Sequence, residues 1–339
     1  MTEKDFWRKS AVAVIGGGSW GTVLAHLASK NCNDVRLWVR EEERARSMNA
    51  TRTNPRYVSG LSLSGNIRAL SEPERVFEGG VQGVIWCLPS KFCRTEAKLL
   101  ASLFHGDEVV LHATKGIEEG TLKRVSEILR EELPSPRIGV VSGPNLADEV
   151  ARGEPAATVV ASQFAEVVSA GQMILSTERF RVYGATDVIG VEWAGTLKNV
   201  LAIAAGALDA LQLGWNTRAM LISRGLAEMV RFGVAMGGEQ STFLGLAGVG
   251  DLLATCSSPL SRNYRVGFGL GQGKKLEQIL IELGSTAEGV KTAQSVWEFA
   301  KARRIYMPIT EGVASLIQGG SSVPDVLHQL MTRPAMAET

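Results

Sequence analysis

A short apolar run leads directly into three consecutive glycines close to the start of the chain. Residues 11–15 read AVAVI and residues 16–21 read GGGSWG, after which a helical pattern begins. In the spacing GxGxxG, Gly16 permits a tight turn, Gly18 lets a pyrophosphate approach the backbone, and Gly21 allows close helix–strand packing. This strand–turn–helix context predicts a βαβ dinucleotide-binding domain; the alternative is a glycine-rich turn without a ligand.

Short apolar and β-branched segments alternate with helical segments through the first half of the chain. Nearly all-apolar strands separated by helices are typical of a parallel sheet that is covered on both faces. The predicted strands are Ala11–Ile15, Val35–Val39, Val84–Leu88, Val109–Ala113, Gly139–Ser142 and Thr158–Ala161. The predicted helices between them are Gly21–Asn31, Glu41–Ala50, Cys93–Ser102 and Leu122–Glu132.

The strand pattern ends near residue 186, and the rest of the sequence reads as helical. The predicted helices are Val188–Leu213, Thr217–Gly233, Lys275–Leu283, Lys291–Arg303 and Pro324–Met331. A length of 339 residues suits two domains of ordinary size. We therefore predict a doubly wound, Rossmann-like α/β domain over residues 1–186 and an all-α substrate domain over residues 187–339.

The charge balance and the cysteine pattern exclude several classes of protein. The 36 Lys and Arg residues balance 35 Asp and Glu residues, which argues against a nucleic-acid binder that acts through bulk charge. The four cysteines form no CxxC pair and the four histidines show no ligand spacing, so no metal site is predicted. The sequence lacks a signal peptide and a run of about 18 uncharged apolar residues, which predicts a cytoplasmic protein without a membrane span.

One lysine interrupts an unusually apolar segment. Residues 188–213 read VIGVEWAGTLKNVLAIAAGALDALQL, where only Glu192, Lys198 and Asp209 carry charge. A helix that is apolar on nearly every face is normally buried, and burial lowers the pKa of a lysine towards the range of proton transfer. Lys198 is therefore a candidate proton-transfer group with an expected depressed pKa, unless its side chain reaches solvent.

The end of the second predicted strand bears on the choice of dinucleotide. A carboxylate there would hold the ribose 2′-hydroxyl of NAD, but this strand ends in Arg40, followed by three glutamates. An arginine at that place can hold the 2′-phosphate of NADP. The sequence therefore favours NADP and leaves NAD open.

Two short motifs in the second half are candidates for substrate binding. Residues 261–263 (SRN) combine a hydroxyl, a guanidinium and an amide, and Arg262 offers a fixed fork of donors to phosphate oxygens. Residues 248–251 (GVGD) predict a sharp turn that presents one carboxylate. Asp251 either pairs with Lys198 or holds a substrate hydroxyl.

Together these motifs resemble the NAD(P)-dependent glycerol-3-phosphate dehydrogenases of the soluble, bacterial type over residues 11–318. The resemblance depends on GGGSWGTVLA (16–25), LWVR (37–40), ATKG (113–116), SGPNLADEV (142–150), GVEWAGTLKNVLAIAAG (190–206), GVGDLLATCSSPLSRNYRVG (248–267) and AEGV (287–290). It implies interconversion of sn-glycerol 3-phosphate and dihydroxyacetone phosphate by hydride transfer, which supplies glycerol 3-phosphate for glycerophospholipid synthesis.

The resemblance also implies roles for individual residues. Lys198 matches the general acid/base, Lys115 a second active-site lysine, and Asp251 joins them as a catalytic residue. The implied substrate contacts are Lys115, Gly143, Asn145, Lys198, Asn199, Asp251, Thr255, Ser261, Arg262 and Asn263. The implied cofactor contacts are Gly16, Gly18, Ser19, Trp20, Gly21, Arg40, Lys115, Ala147, Arg262 and Glu288.

The chain departs from the family pattern at two places. Asn145 stands where the family usually has Thr or Ser, and residues 192–195 (EWAG) replace an acid or amide followed by Leu-Gly-Gly. The bulk of Trp193 implies local repacking near Lys198.

Two other functions fit part of this pattern. A 3-hydroxyacid or 6-phosphogluconate-type dehydrogenase shares the two-domain plan and the lysine, and a non-catalytic nicotinamide sensor shares the glycine loop. The loop at residues 248–263 favours a small phosphate ester as the partner molecule. A homodimer is left open.

Overall fold

The apolar run at residues 11–15 forms an interior strand of an eight-stranded sheet in the computed structural model. The strands are β1 (Ala11–Ile15), β2 (Asp34–Trp38), β3 (Ile67–Leu70), β4 (Gly83–Trp86), β5 (Val109–His112), β6 (Ile138–Ser142), β7 (Ala156–Ala161) and β8 (Phe180–Ala185). They follow the order β3-β2-β1-β4-β5-β6-β7-β8, so the chain winds away from β1 in both directions. This order confirms the predicted doubly wound, Rossmann-like sheet.

Both faces of the sheet are covered by apolar packing. Val12 and Val14 of β1 belong to one buried cluster, whereas Ala13 and Ile15 belong to another. Alternate side chains of a strand point to opposite faces, so each face of β1 has its own core. This double burial explains why the strand is apolar at every position.

The predicted parallel sheet contains one antiparallel pairing. β7 pairs antiparallel with β6, through Val140 with Ala161 and Ser142 with Val159, whereas the other neighbouring pairs are parallel. The chain turns back at the carboxyl end of β6 through residues 143–155, which include only a five-residue helix. A parallel pairing requires the chain to cross back over the sheet, usually through a helix. The chain does not cross the sheet between β6 and β7, so the two strands run antiparallel.

The two strands missed by the sequence analysis lie at the two edges of the sheet. In β8, Phe180 and Val182 are buried while Arg181 and Tyr183 are exposed. β3 alternates in the same way between buried Ile67 and exposed Arg68. A half-covered edge strand lacks the continuous apolar run that identified the interior strands.

The structure describes residues 2–284 and 287–334, which form two compact units: residues 2–118 with 123–192, and residues 119–122 with 193–334. The helices of the first unit are α1 (Glu3–Lys9), α2 (Ser19–Ala28), α3 (Glu42–Thr51), α4 (Pro73–Phe77), α5 (Ser90–Leu100), α6 (Val125–Glu132), α7 (Ala147–Ala151) and α8 (Ala165–Leu175). A single 3₁₀ turn, Ala101–Leu103, follows α5.

The described part of the second unit is helical. Its helices are α9 (Val188–Ala210, whose first five residues group with the first unit), α10 (Trp215–Ala235), α11 (Gln240–Phe243), α12 (Asp251–Ser257), α13 (Arg262–Gly271), α14 (Leu276–Leu283), α15 (Glu288–Arg303), α16 (Pro308–Ile317) and α17 (Val323–Met331). A short π-helical turn, Leu246–Gly250, precedes α12. The all-α prediction for this part of the chain is confirmed.

α9 is the helix around which the second unit is built. Among the described residues it is the one helix that is by itself long and apolar enough to cross a membrane, and 94% of its most apolar window is buried inside the structure. The segments Gln240–Ser257 and Arg262–Gly271 reach that length and composition only when they are taken together, across a bend of 49°. The burial of α9 is that of a core helix, which is why its sequence is apolar on nearly every face.

Two glycines let α13 contact α9 backbone to backbone. A methyl group placed on Gly267 of α13 would lie 1.8 Å from the carbonyl oxygen of Ile203, and one on Gly206 of α9 would lie 1.9 Å from that of Tyr264. No side chain fits in such gaps without separating the helices. The distance between α9 and α13 is therefore set by these two glycines.

A buried carboxyl group at the start of α16 gives the second unit a dependence on pH. Glu228 accepts hydrogen bonds from the backbone N–H groups of Ile309 (2.5 Å) and Thr310 (3.1 Å). It is 2% exposed, and burial outweighs these hydrogen bonds and raises its pKa from 4.5 to about 7. The folded state thus holds the Glu228 proton more tightly than the unfolded chain does.

Protonated Glu228 should contribute its whole share to the free energy of unfolding below pH 4.5. We expect this contribution to be lost as the pH rises to about 7. At about 1.4 kcal/mol per pKa unit, the loss is roughly 3 kcal/mol. Glu228→Gln should abolish that part of the pH dependence, as measured by urea unfolding at pH 5, 6, 7 and 8. Equal slopes for the two proteins over this range would contradict the assignment.

Candidate active site

The glycine loop between β1 and α2 has the shape that a pyrophosphate requires. A methyl group on Gly16 would lie 2.6 Å from the carbonyl oxygen of Cys87, and one on Gly21 would lie 1.9 Å from that of Gly16. At Gly18 the same test finds no atom within 4 Å. Two glycines are thus needed for packing, while the third leaves open space beside the first turn of α2, where backbone N–H groups favour an anion. The loop fits a dinucleotide.

The other loop residues contribute in different ways. The Ser19 hydroxyl donates to the carbonyl oxygen of Tyr57 at 2.9 Å, and Asn54 donates to that of Gly17 at 3.1 Å. The Trp20 ring lies against Phe180, with 6.3 Å between the ring centres. Ser19 therefore ties the glycine loop to the segment after α3, and the Trp20 ring packs towards the core.

Arg40 follows the end of β2 and is exposed. The next residue, Glu41, lies 3.0 Å from Arg44 and 4.0 Å from Arg56. The exposed guanidinium of Arg40 is in the place where the ribose 2′-substituent of a dinucleotide lies in this fold.

Lys115 and the loop after β6 lie at the same edge of the sheet as the glycine loop, because β1, β4, β5 and β6 run parallel. The Lys115 ammonium donates to the carbonyl oxygen of Gly143 at 3.2 Å. The amide of Asn145 lies 2.8 Å from the hydroxyl of Thr158, and Ala147 begins α7. The predicted residues of this group therefore meet at the carboxyl edge, where open α/β sheets bind ligands.

Lys198 is buried and paired. Its residue is 5% exposed, and its ammonium lies 2.5 Å from Asp251 Oδ1 and 2.6 Å from the hydroxyl of Thr255. Thr255 and Asp251 are also buried, on successive turns of α12, and the Thr255 hydroxyl donates to Asp251 Oδ1 at 3.2 Å. Of the two roles open to Asp251, the pairing with Lys198 is the one the structure shows.

The predicted sharp turn at residues 248–251 is wrong in form. The chain makes the π-helical turn Leu246–Gly250 and continues without a break into α12, so Asp251 is the first residue of a helix. A methyl group on Gly248 would lie 2.0 Å from the carbonyl oxygen of Phe243, which explains the glycine. The motif identified the buried carboxylate but not the helical geometry that carries it.

The remaining predicted residues meet around the start of α13. Ser261 caps this helix by accepting from the N–H of Tyr264 at 3.3 Å, and Arg262 is exposed in its first turn. The side-chain oxygen Oδ1 of Asn263 accepts from the N–H of Gly289 at 3.0 Å.

The N-terminus of α15 reaches the same place. A methyl group on Gly289 would lie 2.6 Å from the carbonyl oxygen of Asn199 on α9 and 2.8 Å from Asn263. Glu288, the first residue of α15, directly precedes this contact. The starts of α13 and α15 therefore meet α9 one residue after Lys198.

One buried charge cluster has a role that the sequence analysis missed. Glu192 accepts from Arg124 (2.7 Å), from the backbone N–H of Ser126 (2.9 Å) and from the Ser126 hydroxyl (2.6 Å), and lies 3.1 Å from His112 Nε2. Burial raises the pKa of Glu192, but His112, Arg124 and Ser126 outweigh it and lower the value to about 2. The ionised carboxylate of Glu192 connects the beginning of α9 to β5 and α6. The sequence signal for this role was a charged residue within an apolar helix.

The surroundings of Trp193 and Cys256 indicate structural rather than catalytic roles. Trp193 is completely buried, and its ring packs edge-on against Phe232 with 4.9 Å between centres. Burial raises the pKa of the Cys256 thiol to about 12, which keeps it protonated and unreactive at neutral pH.

Comparison with known proteins finds similarity over both halves of the chain. Models of the family of NAD-dependent glycerol-3-phosphate dehydrogenases match residues 11–168 with the N-terminal part and residues 187–328 with the C-terminal part. Glycerol-3-phosphate dehydrogenase [NAD(P)+] of Pseudomonas paraeruginosa is 46% identical over 98% of this chain and 95% of its own length.

Solved structures agree with the sequence comparison. The glycerol-3-phosphate dehydrogenase of Coxiella burnetii superposes with a TM-score of 0.90 at 35% identity, covering 96% of this chain and 99% of that one. The corresponding enzyme of Saccharomyces cerevisiae gives a TM-score of 0.84 at 26% identity, covering 95% and 99%. The chain belongs to the family of NAD-dependent glycerol-3-phosphate dehydrogenases.

Proposed function

We propose that this protein is an NAD(P)-dependent oxidoreductase that interconverts sn-glycerol 3-phosphate and dihydroxyacetone phosphate. The observation that carries the proposal is the buried Lys198–Asp251 pair, 2.5 Å apart, with Lys198 one residue before the point where α9 meets the start of α13. The exposed Arg262 is the first residue of α13. A buried ammonium and an arginine at a helix N-terminus supply what a small phosphorylated alcohol requires, which is a proton-transfer group and a phosphate-binding group.

The glycine loop and Arg40 would hold the dinucleotide, with the pyrophosphate at the start of α2. When bound, the nicotinamide supplies or accepts the hydride at C2 of the substrate. Lys115, Ala147, Arg262 and Glu288 are the further residues that we assign to this cofactor. Arg40 favours NADP, and NAD is accepted as well.

Lys198 moves the proton at the C2 oxygen. In oxidation the neutral amine takes the hydroxyl proton, and in reduction the ammonium returns it. Burial disfavours the ammonium form of Lys198, whereas the Asp251 carboxylate favours it. Lys115 acts as a second cation that stabilises negative charge developing on the oxygen.

The phosphate group of the substrate binds at the start of α13. Arg262 offers two parallel donors, and the first backbone N–H groups of a helix have no carbonyl partner within the helix. We also assign substrate contacts to Ser261, Asn263, Asn199 and Thr255 in the second unit, and to Gly143 and Asn145 in the first unit.

Replacement of the phosphate-binding arginine should weaken substrate recognition. A hydrogen bond to a charged group contributes about 1.5–3 kcal/mol, so Arg262→Ala should raise the KM for glycerol 3-phosphate roughly 10- to 100-fold. Arg265→Ala, which removes an exposed arginine one turn further along α13, is the matched control. An unchanged KM in the first variant would rule out this assignment.

A single spectrophotometric experiment tests the proposed function. Dihydroxyacetone phosphate is reduced with NADPH and with NADH in parallel, and the loss of nicotinamide absorbance is followed. Turnover with either cofactor supports the proposal, and a higher kcat/KM for NADPH supports NADP as the preferred cofactor. Turnover of a 3-hydroxyacid or of 6-phosphogluconate, with none of dihydroxyacetone phosphate, would assign a different substrate.

The biological setting is part of the same proposal. The product glycerol 3-phosphate would supply glycerophospholipid synthesis, and the enzyme would act in the cytoplasm. A homodimer stays a prediction, which sedimentation of the purified protein would test.

A further inference from the structure

A second arginine, Arg44, lies against the glycine loop. A methyl group placed on Gly17 would lie 3.6 Å from Arg44 Nη2, so the guanidinium rests against the loop that binds the pyrophosphate. The Arg44 side chain is 17% exposed, although it belongs to the first turns of α3, where the side chains of Glu42 and Arg46 are 68% and 73% exposed. This arginine is directed inwards, towards the proposed cofactor site.

The position of Arg44 is fixed by an aromatic ring and a carboxylate. Its guanidinium carbon lies 5.1 Å from the centre of the Tyr57 ring, and that of Arg56 lies 5.4 Å from the same ring. Glu41 lies between the two arginines, 3.0 Å from Arg44 and 4.0 Å from Arg56. Tyr57 is itself held by the hydrogen bond from Ser19 of the glycine loop.

Arg44 still has a donor to offer. Its Nε atom is buried and has no hydrogen-bond partner among residues 2–284 and 287–334. A buried donor without a partner is costly, and a phosphate group provides several acceptor oxygens at once. The end of β2, four to six residues before Arg44, is where this fold places the ribose 2′-substituent of a dinucleotide.

We propose that Arg44 binds the 2′-phosphate of NADP, and that Glu41 sets the preference between NADP and NAD by competing with this phosphate for Arg44. With NAD bound, Glu41 remains the ionic partner of Arg44 and no charge is left alone. With NADP bound, the phosphate takes the place of the Glu41 carboxylate. The inference rests on the proposed function only in taking a nicotinamide dinucleotide as the ligand.

The test measures binding without turnover. NADPH and NADH are titrated separately into the enzyme without substrate, and Kd is obtained from nicotinamide fluorescence. We expect Arg44→Gln to weaken NADPH roughly 10- to 100-fold and to leave NADH within about twofold. Glu41→Gln should tighten NADPH by about fivefold and leave NADH unchanged, since the Glu41 side chain is 43% exposed and an ion pair at the surface contributes up to about 1 kcal/mol. Arg46→Gln, on the exposed side of the same helix, should change neither Kd.

Other outcomes would overturn the proposal. Equal weakening of NADPH and NADH in Arg44→Gln would show that Arg44 only supports the glycine loop. An unchanged NADPH Kd in that variant, or weaker NADPH binding in Glu41→Gln, would also exclude the competition. If the wild-type enzyme reduces no dihydroxyacetone phosphate but the Kd values follow the expected pattern, the proposed substrate falls and the nucleotide inference stands.

Discussion

Lys198→Arg is expected to lower turnover roughly 10²- to 10⁴-fold while NADPH still binds, because an arginine cannot give up its proton near neutral pH. The guanidinium keeps the positive charge opposite Asp251, so the buried carboxylate retains an ionic partner. Steady-state kinetics with saturating NADPH measures the loss, and nicotinamide fluorescence measures cofactor binding.

A second variant separates chemistry from folding. Lys198→Met removes the charge and leaves the buried Asp251 without its cationic partner, which typically costs about 3–5 kcal/mol. We therefore expect Lys198→Met to be both inactive and less stable, whereas Lys198→Arg is inactive with a smaller loss of stability. If Lys198→Arg retained turnover within tenfold of wild type, Lys198 would not be the proton-transfer group.

The charged residues of α9 could be identified from the sequence, but most of their ion-pair partners could not. Each of its three charged residues is paired in the structure: Glu192 with Arg124, Lys198 with Asp251, and Asp209 with Arg218 at 2.6 Å. A charged side chain in a buried apolar helix needs a partner or a function. This argument identified Lys198 as a candidate proton-transfer group. Apart from Lys198, the partners could not be predicted, since they come from segments up to 68 residues away and depend on the packing of the folded chain.

The same limit applies to the fold. The glycine loop and the interior strands were predictable, because burial on both faces leaves a continuous apolar signal. The edge strands β3 and β8 and the antiparallel direction of β7 were not, since an edge position and a strand direction depend on neighbours in space. Arg44 is a similar case: its spacing places it on α3, but only the folded chain brings its guanidinium against Gly17.

Gly267→Ala should destabilise the second unit and weaken substrate binding together. The new methyl group would lie 1.8 Å from the Ile203 carbonyl oxygen and 2.9 Å from the backbone nitrogen of Ala207, and neither atom can move without bending α9. Overpacking of this kind costs about 1–3 kcal/mol or more, which exceeds the gain of about 1 kcal/mol from replacing a helical glycine by alanine. We expect a fall in Tm of several degrees, measured by calorimetry.

The substrate effect follows from where α13 begins. If α13 moves away from α9, it carries Arg262 and Asn263 with it, so the KM for glycerol 3-phosphate should rise while the Kd for NADPH changes less. Gly269→Ala on the same helix is the comparison and should have the smaller effect, because the three atoms nearest to its methyl group belong to the Ile279 side chain, at 2.8 Å and beyond, and not to the backbone of α9. Wild-type Tm and KM in Gly267→Ala would mean that the close contact between α9 and α13 does not position the phosphate-binding arginine.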